Sequence, residues 1–374
     1  MSEKKAEEGS VKVRVLGREE LTHVRYGWLD QFRGLIILFL IISVITWPLS
    51  GNAITGVPIV GPPLLNHGFK YANFYPAIIT IIDIGQQIFM FCLGFVAFLA
   101  FSGRLEKKGA KDAWKHAITR VAVLYFLAFL DDGLIGGDLL EGGTGWIKNV
   151  LWNGTLANLA IGTFAAYLGT YLIKNGDKRL YLGIAIMILH SILYGLPFFD
   201  RYIVIGAPEG SLIFPFNSLN HAAIAIVATC FSQWYKMNPN DPIVGFKKRI
   251  LPGATIAIVA FYCLDWIQPA EHHDVTTSLA LFAIAVSGFM ISIFYFFDTI
   301  GFKLPVLSAM GKNMLLLFIL AFIVDLYAGI LADNFKDLLL AFPVLALLLV
   351  GILPILFEAA IAIVLDKKNI KIKI

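Results

Sequence analysis

Charge is scarce in this sequence. Only 15% of the 374 residues are Asp, Glu, Lys or Arg, whereas 58% are apolar. That balance excludes an ordinary water-soluble domain, whose exterior needs far more polar surface. Cysteine is sparse as well, and Cys92, Cys230 and Cys263 lie far apart inside apolar runs. Their spacing excludes a disulfide framework and a thiolate cluster, and no metal is expected. Internal repeats, low-complexity tracts and nucleic-acid motifs are also lacking, so no nucleic-acid partner is expected. Residues 1–30 are polar and charged, so a cleavable signal peptide is not expected and the first apolar run is expected to direct insertion.

What is present is a succession of apolar runs at 34–49, 76–101, 117–136, 149–173, 180–198, 216–235, 250–268, 276–300, 306–331 and 338–365. Mean hydropathy is +0.76. About 20 apolar residues cross a hydrocarbon core as a helix, and lipid offers no partner for unpaired backbone groups. The expected fold is therefore all-α: a polytopic membrane helix bundle of about ten transmembrane helices. Pro343 and Pro354 interrupt the last run and are expected to kink it.

Orientation follows from the distribution of positive charge. With the N-terminus inside, 25 of the 30 Lys and Arg residues fall on cytoplasmic segments. Lys70, Lys148, Arg201 and Lys336 fall outside, and Lys312 falls within a run. The positive-inside rule thus predicts both termini in the cytoplasm of a multipass plasma-membrane protein. The expected layout is a cytoplasmic segment 1–30, a single membrane domain 31–366 and a basic tail 367–374.

Ionisable residues inside apolar runs are functional candidates by default. They are Asp83, His190, His221, Asp265, Asp298, Lys312, Asp325 and Glu358. Asp265 and Asp298 lie near run ends, where water reaches them. Glu358 has Lys312 as a possible ion-pair partner, so a structural salt bridge competes with a site there. Asp83 lies about 10 Å below the outer end of the second run, with Gln86 and Gln87 following. His67 lies in the long Gly/Pro-rich loop before it. A carboxylate that orients an imidazole makes a general base near neutral pH; the competing reading is a water-exposed histidine and a carboxylate satisfied by a neighbouring helix. Lys312 and Asn313, near the inner face, suit a phosphate or a snorkelling lysine.

Several motifs occur in a recognisable order. Trp28-Leu29-Asp30-Gln31-Phe32-Arg33-Gly34 opens the first run, and His67-Gly68-Phe69 precedes the Asp83 helix. Arg120, Gly154-Thr155-Leu156, Pro208-Glu209-Gly210, Thr276-Thr277-Ser278 and Met310-Gly311-Lys312-Asn313 follow. Over about residues 25–320 this series resembles the heparan-α-glucosaminide N-acetyltransferase-like family of transmembrane acyltransferases. Val44, Gln86-Gln87 and Ala157-Asn158 stand where that family's pattern has Asn, Phe-Pro and Gln-Arg. The resemblance implies transfer of an acyl group, commonly acetyl, from acetyl-CoA or another acyl-CoA to a sugar hydroxyl or amine. The acceptor is an envelope glycan or glycolipid at the outer face. It implies His67 as base or transient acyl carrier, Asp83 as its orienting carboxylate and Asn66 as a carbonyl-polarising group. Arg33, Arg120, Lys312 and Asn313 become candidates for holding the phosphorylated donor. Two further readings stand beside it: a transporter or flippase for a polar or lipid-linked substrate, and a non-catalytic membrane scaffold. The expected partners are the lipid bilayer, the sugar or glycolipid acceptor and a second copy of the chain in a homo-oligomer.

Overall fold

The computed structural model describes residues 12–15, 18–21, 26–49, 79–130, 147, 150–151, 154–194, 218–238, 241–272 and 275–370. Near the N-terminus, β1 (Lys12–Val15) pairs antiparallel with β2 (Arg18–Leu21). Alternation of charged residues with valine in Lys-Val-Arg-Val suits such a strand, and this hairpin lies within the polar segment 1–30.

The remainder is helical. The elements are α1 (Gly27–Leu49), α2 (Ile81–Ala128), α3 (Thr155–Leu172), α4 (Gly176–Tyr194), α5 (Leu219–Tyr235), α6 (Leu251–Asp265), α7 (Thr277–Thr299), α8 (Pro305–Lys312), α9 (Met314–Asn334), α10 (Lys336–Ala341) and α11 (Leu353–Lys367). Where described, the apolar runs coincide largely with these helices. Four stretches are long and apolar enough to cross a membrane: Asp83–Ala128, Thr277–Thr299, Met314–Leu331 and Val344–Lys367.

The first of these is two helices. Gly109 has φ 82° and ψ 176°, outside helical geometry, a conformation glycine adopts without steric penalty. In a continuous helix Phe101 and Trp114 would lie about 20 Å apart along the axis. Their ring centroids are 5.3 Å apart, and Arg104 meets Asp112 at 3.1 Å. The chain therefore turns back at Gly109, and the two arms of α2 correspond to the second and third apolar runs.

Two other runs are broken where the sequence reading expected continuity or a kink. The ninth divides at Asn313, whose φ of −120° and ψ of 33° separate α8 from α9. Lys312 thus ends a short separate helix instead of lying within a span. In the last run a wide π-turn, Leu347–Ile352, immediately precedes α11 and its Pro354. The same device occurs at Phe246–Ile250, just ahead of Pro252 in α6. Proline cannot donate to the carbonyl four residues back and its ring crowds that oxygen. Wider i to i+5 bonding relieves both problems.

Side-chain contacts sort the connections into two ends. At one, the basic end, Trp28 of α1 meets Phe95, Tyr235, Phe246 and Tyr295 at centroid distances of 5.8, 5.3, 6.1 and 6.1 Å. Arg179 is fully buried there. Its Nε donates to Thr229 Oγ1 at 2.8 Å, and its Nη atoms donate to the Ile173 carbonyl at 2.7 Å and Gln233 Oε1 at 2.6 Å. The guanidinium also lies over Phe98. This cation, counted by the sequence reading only as loop charge, clamps α4 and the turn before it to α5.

The WLDQFRG motif docks α8 across α1. Gln31 Oε1 accepts the Leu304 N–H at 2.8 Å. A Cβ on Gly34 would run into the Leu307 carbonyl, and one on Gly311 into the Asp30 carbonyl. Two backbones approach this closely only where both crossing residues lack side chains.

Candidate functional site

At the end opposite the basic turns, Thr80 caps α2 and Asp83 occupies the third position of its first turn. Asp83 Oδ2 accepts the Thr80 N–H at 2.8 Å and the Thr80 hydroxyl at 3.0 Å. This reciprocal cap satisfies an otherwise orphaned backbone donor and fixes the carboxylate. Its second oxygen, Oδ1, lies 3.6 Å from Nδ1 of His272. That separation is slightly longer than a hydrogen bond. Asp83 is nearly buried, while the imidazole retains 22% exposure.

His272 belongs to the α6–α7 connection, which is tied down by short-range bonds. Asp265 Oδ1 accepts the Ala270 N–H at 2.7 Å. It is buried, which corrects the expectation that water solvates it. The Glu271 N–H donates to Thr276 Oγ1 at 3.0 Å, and Ser278 Oγ donates to the Gln268 carbonyl at 2.7 Å. Val275 is held at φ 45°, an unfavourable conformation for a β-branched residue. Asn220 of α5 donates to its carbonyl at 2.6 Å. Backbone strain held by surrounding bonds clusters at functional sites, and here it lies three residues from the imidazole.

Polar groups continue inward. Gln87, one turn below Asp83, is buried, and its Oε1 has no hydrogen-bond partner among the described residues. Asn158 Oδ1 of α3 accepts the Ser218 hydroxyl at 2.9 Å. Gly162 of α3 lies against Met90 of α2 and the His221 carbonyl of α5. That contact sets the three helices in register, with Gln87, Asn158 and Ser218 each about one turn nearer the Asp83 end.

The structure brings together some of the residues singled out in the sequence. Asn66 and His67 lie outside the described residues. Asp83 does face an imidazole, that of His272, which is not among the candidates singled out from the sequence. A His-His-Asp tripeptide beside Thr-Thr-Ser was the available signal. Arg33, Lys312 and Asn313 meet near the basic end, where α1, α8 and α11 pack. Arg33 lies 3.5 Å from Asp30, and Asn313 donates to the Ile370 carbonyl at 3.2 Å. Lys312 Nζ is 2.7 Å from both Asp366 oxygens. Asp366 is therefore the Lys312 partner, in place of the alternative pairing with Glu358. Arg120 lies elsewhere, on the second arm of α2, within electrostatic range of His116 together with Arg104.

Phe89 of α2 stacks on Phe318 of α9 at 5.4 Å. Asp83 lies six residues before Phe89, and α9 begins four residues before Phe318, which separates Asp83 from the start of α9 by about 15 Å along the bundle; Lys312 lies just before that start, across the break at Asn313. Among the described residues no cluster of His, Cys, Asp and Glu is arranged to hold a metal ion. No family model matches the sequence, and no curated protein matches it.

Proposed function

We propose that the chain is a multipass acyltransferase whose general base is an imidazole oriented by Asp83. The observation that carries this reading is the Asp83–His272 contact, with the carboxylate pinned by Thr80. With Nδ1 facing the carboxylate, Nε2 is the nitrogen that exchanges protons with substrate. It takes the proton of an acceptor hydroxyl or amine as that atom attacks the thioester carbonyl. The carbonyl carbon–sulfur bond then breaks, the acyl group remains on the acceptor, and the departing thiolate receives the proton from the imidazolium.

Donor geometry is consistent with this scheme. The separation of Asp83 from the Lys312 end of α9, roughly 15 Å along the bundle, suits a long linear donor with phosphates at one end and a thioester at the other, as in acetyl-CoA or another acyl-CoA. Arg33, Lys312 and Asn313 are the proposed phosphate-end contacts, of which Lys312 must exchange Asp366 for phosphate, whereas Arg120 lies elsewhere and is not among them. Gln87 Oε1 suits an acceptor hydroxyl donor. In this reading about ten spans cross the plasma membrane, both termini are cytoplasmic, and the Asp83 end faces outward toward a sugar or glycolipid. The family resemblance adds His67 and Asn66, outside the described residues, as further candidates for the transfer.

The test uses full-length protein in lipid vesicles with labelled acetyl-CoA and a panel of amino sugars and glycolipids. The expected result is sugar-dependent CoA release and label transfer, reduced about 100-fold or more in His272→Ala. His67→Ala run in parallel separates the two imidazoles. Wild-type protein that binds no donor and releases no CoA overturns the reading.

A further inference from the structure

α11 carries an acid that the proposed transfer does not use. Its buried residues are Pro354, Glu358 and Ala362, a stripe one turn apart that packs against α1, α8 and α9. Glu358 is completely inaccessible, and neither carboxyl oxygen has a hydrogen-bond partner among the described residues. It lies eight residues from Asp366, about 12 Å deeper along the helix.

The charged groups on the packed elements are accounted for. Lys312 of α8 is held by both Asp366 oxygens. On α1, Arg33 pairs with Asp30, and no further ionisable residue follows on that helix. On α9 the acids are Asp325 and Asp333, whose side chains lie outside the described residues. On α11 itself, Asp366 and Lys367 lie at its basic end. Among the described residues no cation is placed to neutralise Glu358.

A carboxylate enclosed in apolar surroundings without a partner is prohibitively unfavourable, and such a group is neutralised instead. With no cation placed beside it, the neutralising ligand is a proton. We infer that Glu358 is a proton-binding site within the last membrane-type helix. A second feature of the same helix supports a role beyond packing. The π-turn at Leu347–Ile352 ends just before Pro354, and such turns recur at functional positions, where they loosen the backbone. Buried acids at this depth are the groups that membrane proteins use to take up and release protons as helices move. The site is independent of the acyl-transfer reading.

Infrared spectroscopy of the full-length protein in lipid bilayers tests it. Glutamate is labelled with carbon-13 at the side-chain carboxyl, and spectra are recorded at neutral pH. The expected result is a protonated-acid carbonyl band that shifts with the label and disappears in Glu358→Gln, a substitution that keeps the shape of the neutral acid. Glu358→Asp provides a second variant, in which the band persists but loses its isotope shift. Absence of a labelled protonated-acid band in the wild type overturns the inference. So does a band that survives unchanged in either variant.

Discussion

Asparagine at position 83 separates the two jobs that this carboxylate performs. Asp83→Asn preserves the outline of the side chain, so its amide oxygen still accepts the N–H and hydroxyl of Thr80. What disappears is charge. Two charge-assisted bonds become neutral ones, and a negative group is lost from a helix N-terminus, where it contributes about 0.3–1 kcal/mol. With hydrogen bonds to charged groups exceeding neutral ones by about 1 kcal/mol each, the combined destabilisation is about 2–3 kcal/mol. Catalysis is expected to fall much further. The amide presents an N–H to His272 Nδ1, where an oxygen had stood at 3.6 Å, and so favours the opposite tautomer of the base. Loss of positioned base catalysis is about 100-fold to 10,000-fold, equivalent to about 3–5 kcal/mol of activation energy. The assay pairs thermal unfolding in lipid with CoA release per folded molecule. A double variant, Asp83→Asn with His272→Ala, is expected to be no slower than His272→Ala alone, because both act through one imidazole. An Asp83→Asn protein that unfolds earlier yet turns over normally per folded molecule would refute the reasoning and leave Asp83 as a helix cap.

Three other perturbations probe how the scaffold is held. Gly311→Ala places a methyl group against the Asp30 carbonyl; neither backbone can yield, and the α1–α8 crossing is expected to lose about 1–3 kcal/mol, read as a lower unfolding temperature. Arg179→Lys keeps the charge but loses the branched donor set that reaches Thr229, Ile173 and Gln233. A drop of about 2–3 kcal/mol is expected, and an unchanged unfolding temperature would show that the clamp contributes nothing. At Val275 the usual order of alanine over glycine should reverse. With φ at 45°, Val275→Gly is expected to be about 1 kcal/mol more stable than Val275→Ala, measured by denaturant unfolding of the two proteins side by side.

The relation between the motifs and the site illustrates how far local pattern carries. Asp83 was visible because an acid within an apolar run is rare and expensive. Its imidazole was not, because His272 comes from a connection nearly 190 residues later and nothing in either segment encodes their approach. Lys312 was legible as an odd cation in an apolar stretch, but its position was misread. Hydropathy does not register the break at Asn313, which is a matter of backbone angles. Similarly, Trp28-Leu29-Asp30-Gln31-Phe32-Arg33-Gly34 and Met310-Gly311-Lys312-Asn313 read as two separate motifs. Folded, they form one contact, in which Gly34 and Gly311 let the two helices cross.

By itself the sequence determined the helical class, the membrane character of several apolar segments and the segregation of positive charge. These follow from composition and from lengths comparable to a bilayer, properties that each segment carries alone. Only the tertiary structure decided that Gly109 reverses the second helix, that Lys312 pairs with Asp366, that Glu358 is enclosed with no cation beside it among the described residues and that Asp83 faces His272. Each of these depends on which helices become neighbours and at what register. That is a property of packing among distant segments, and no single segment contains it.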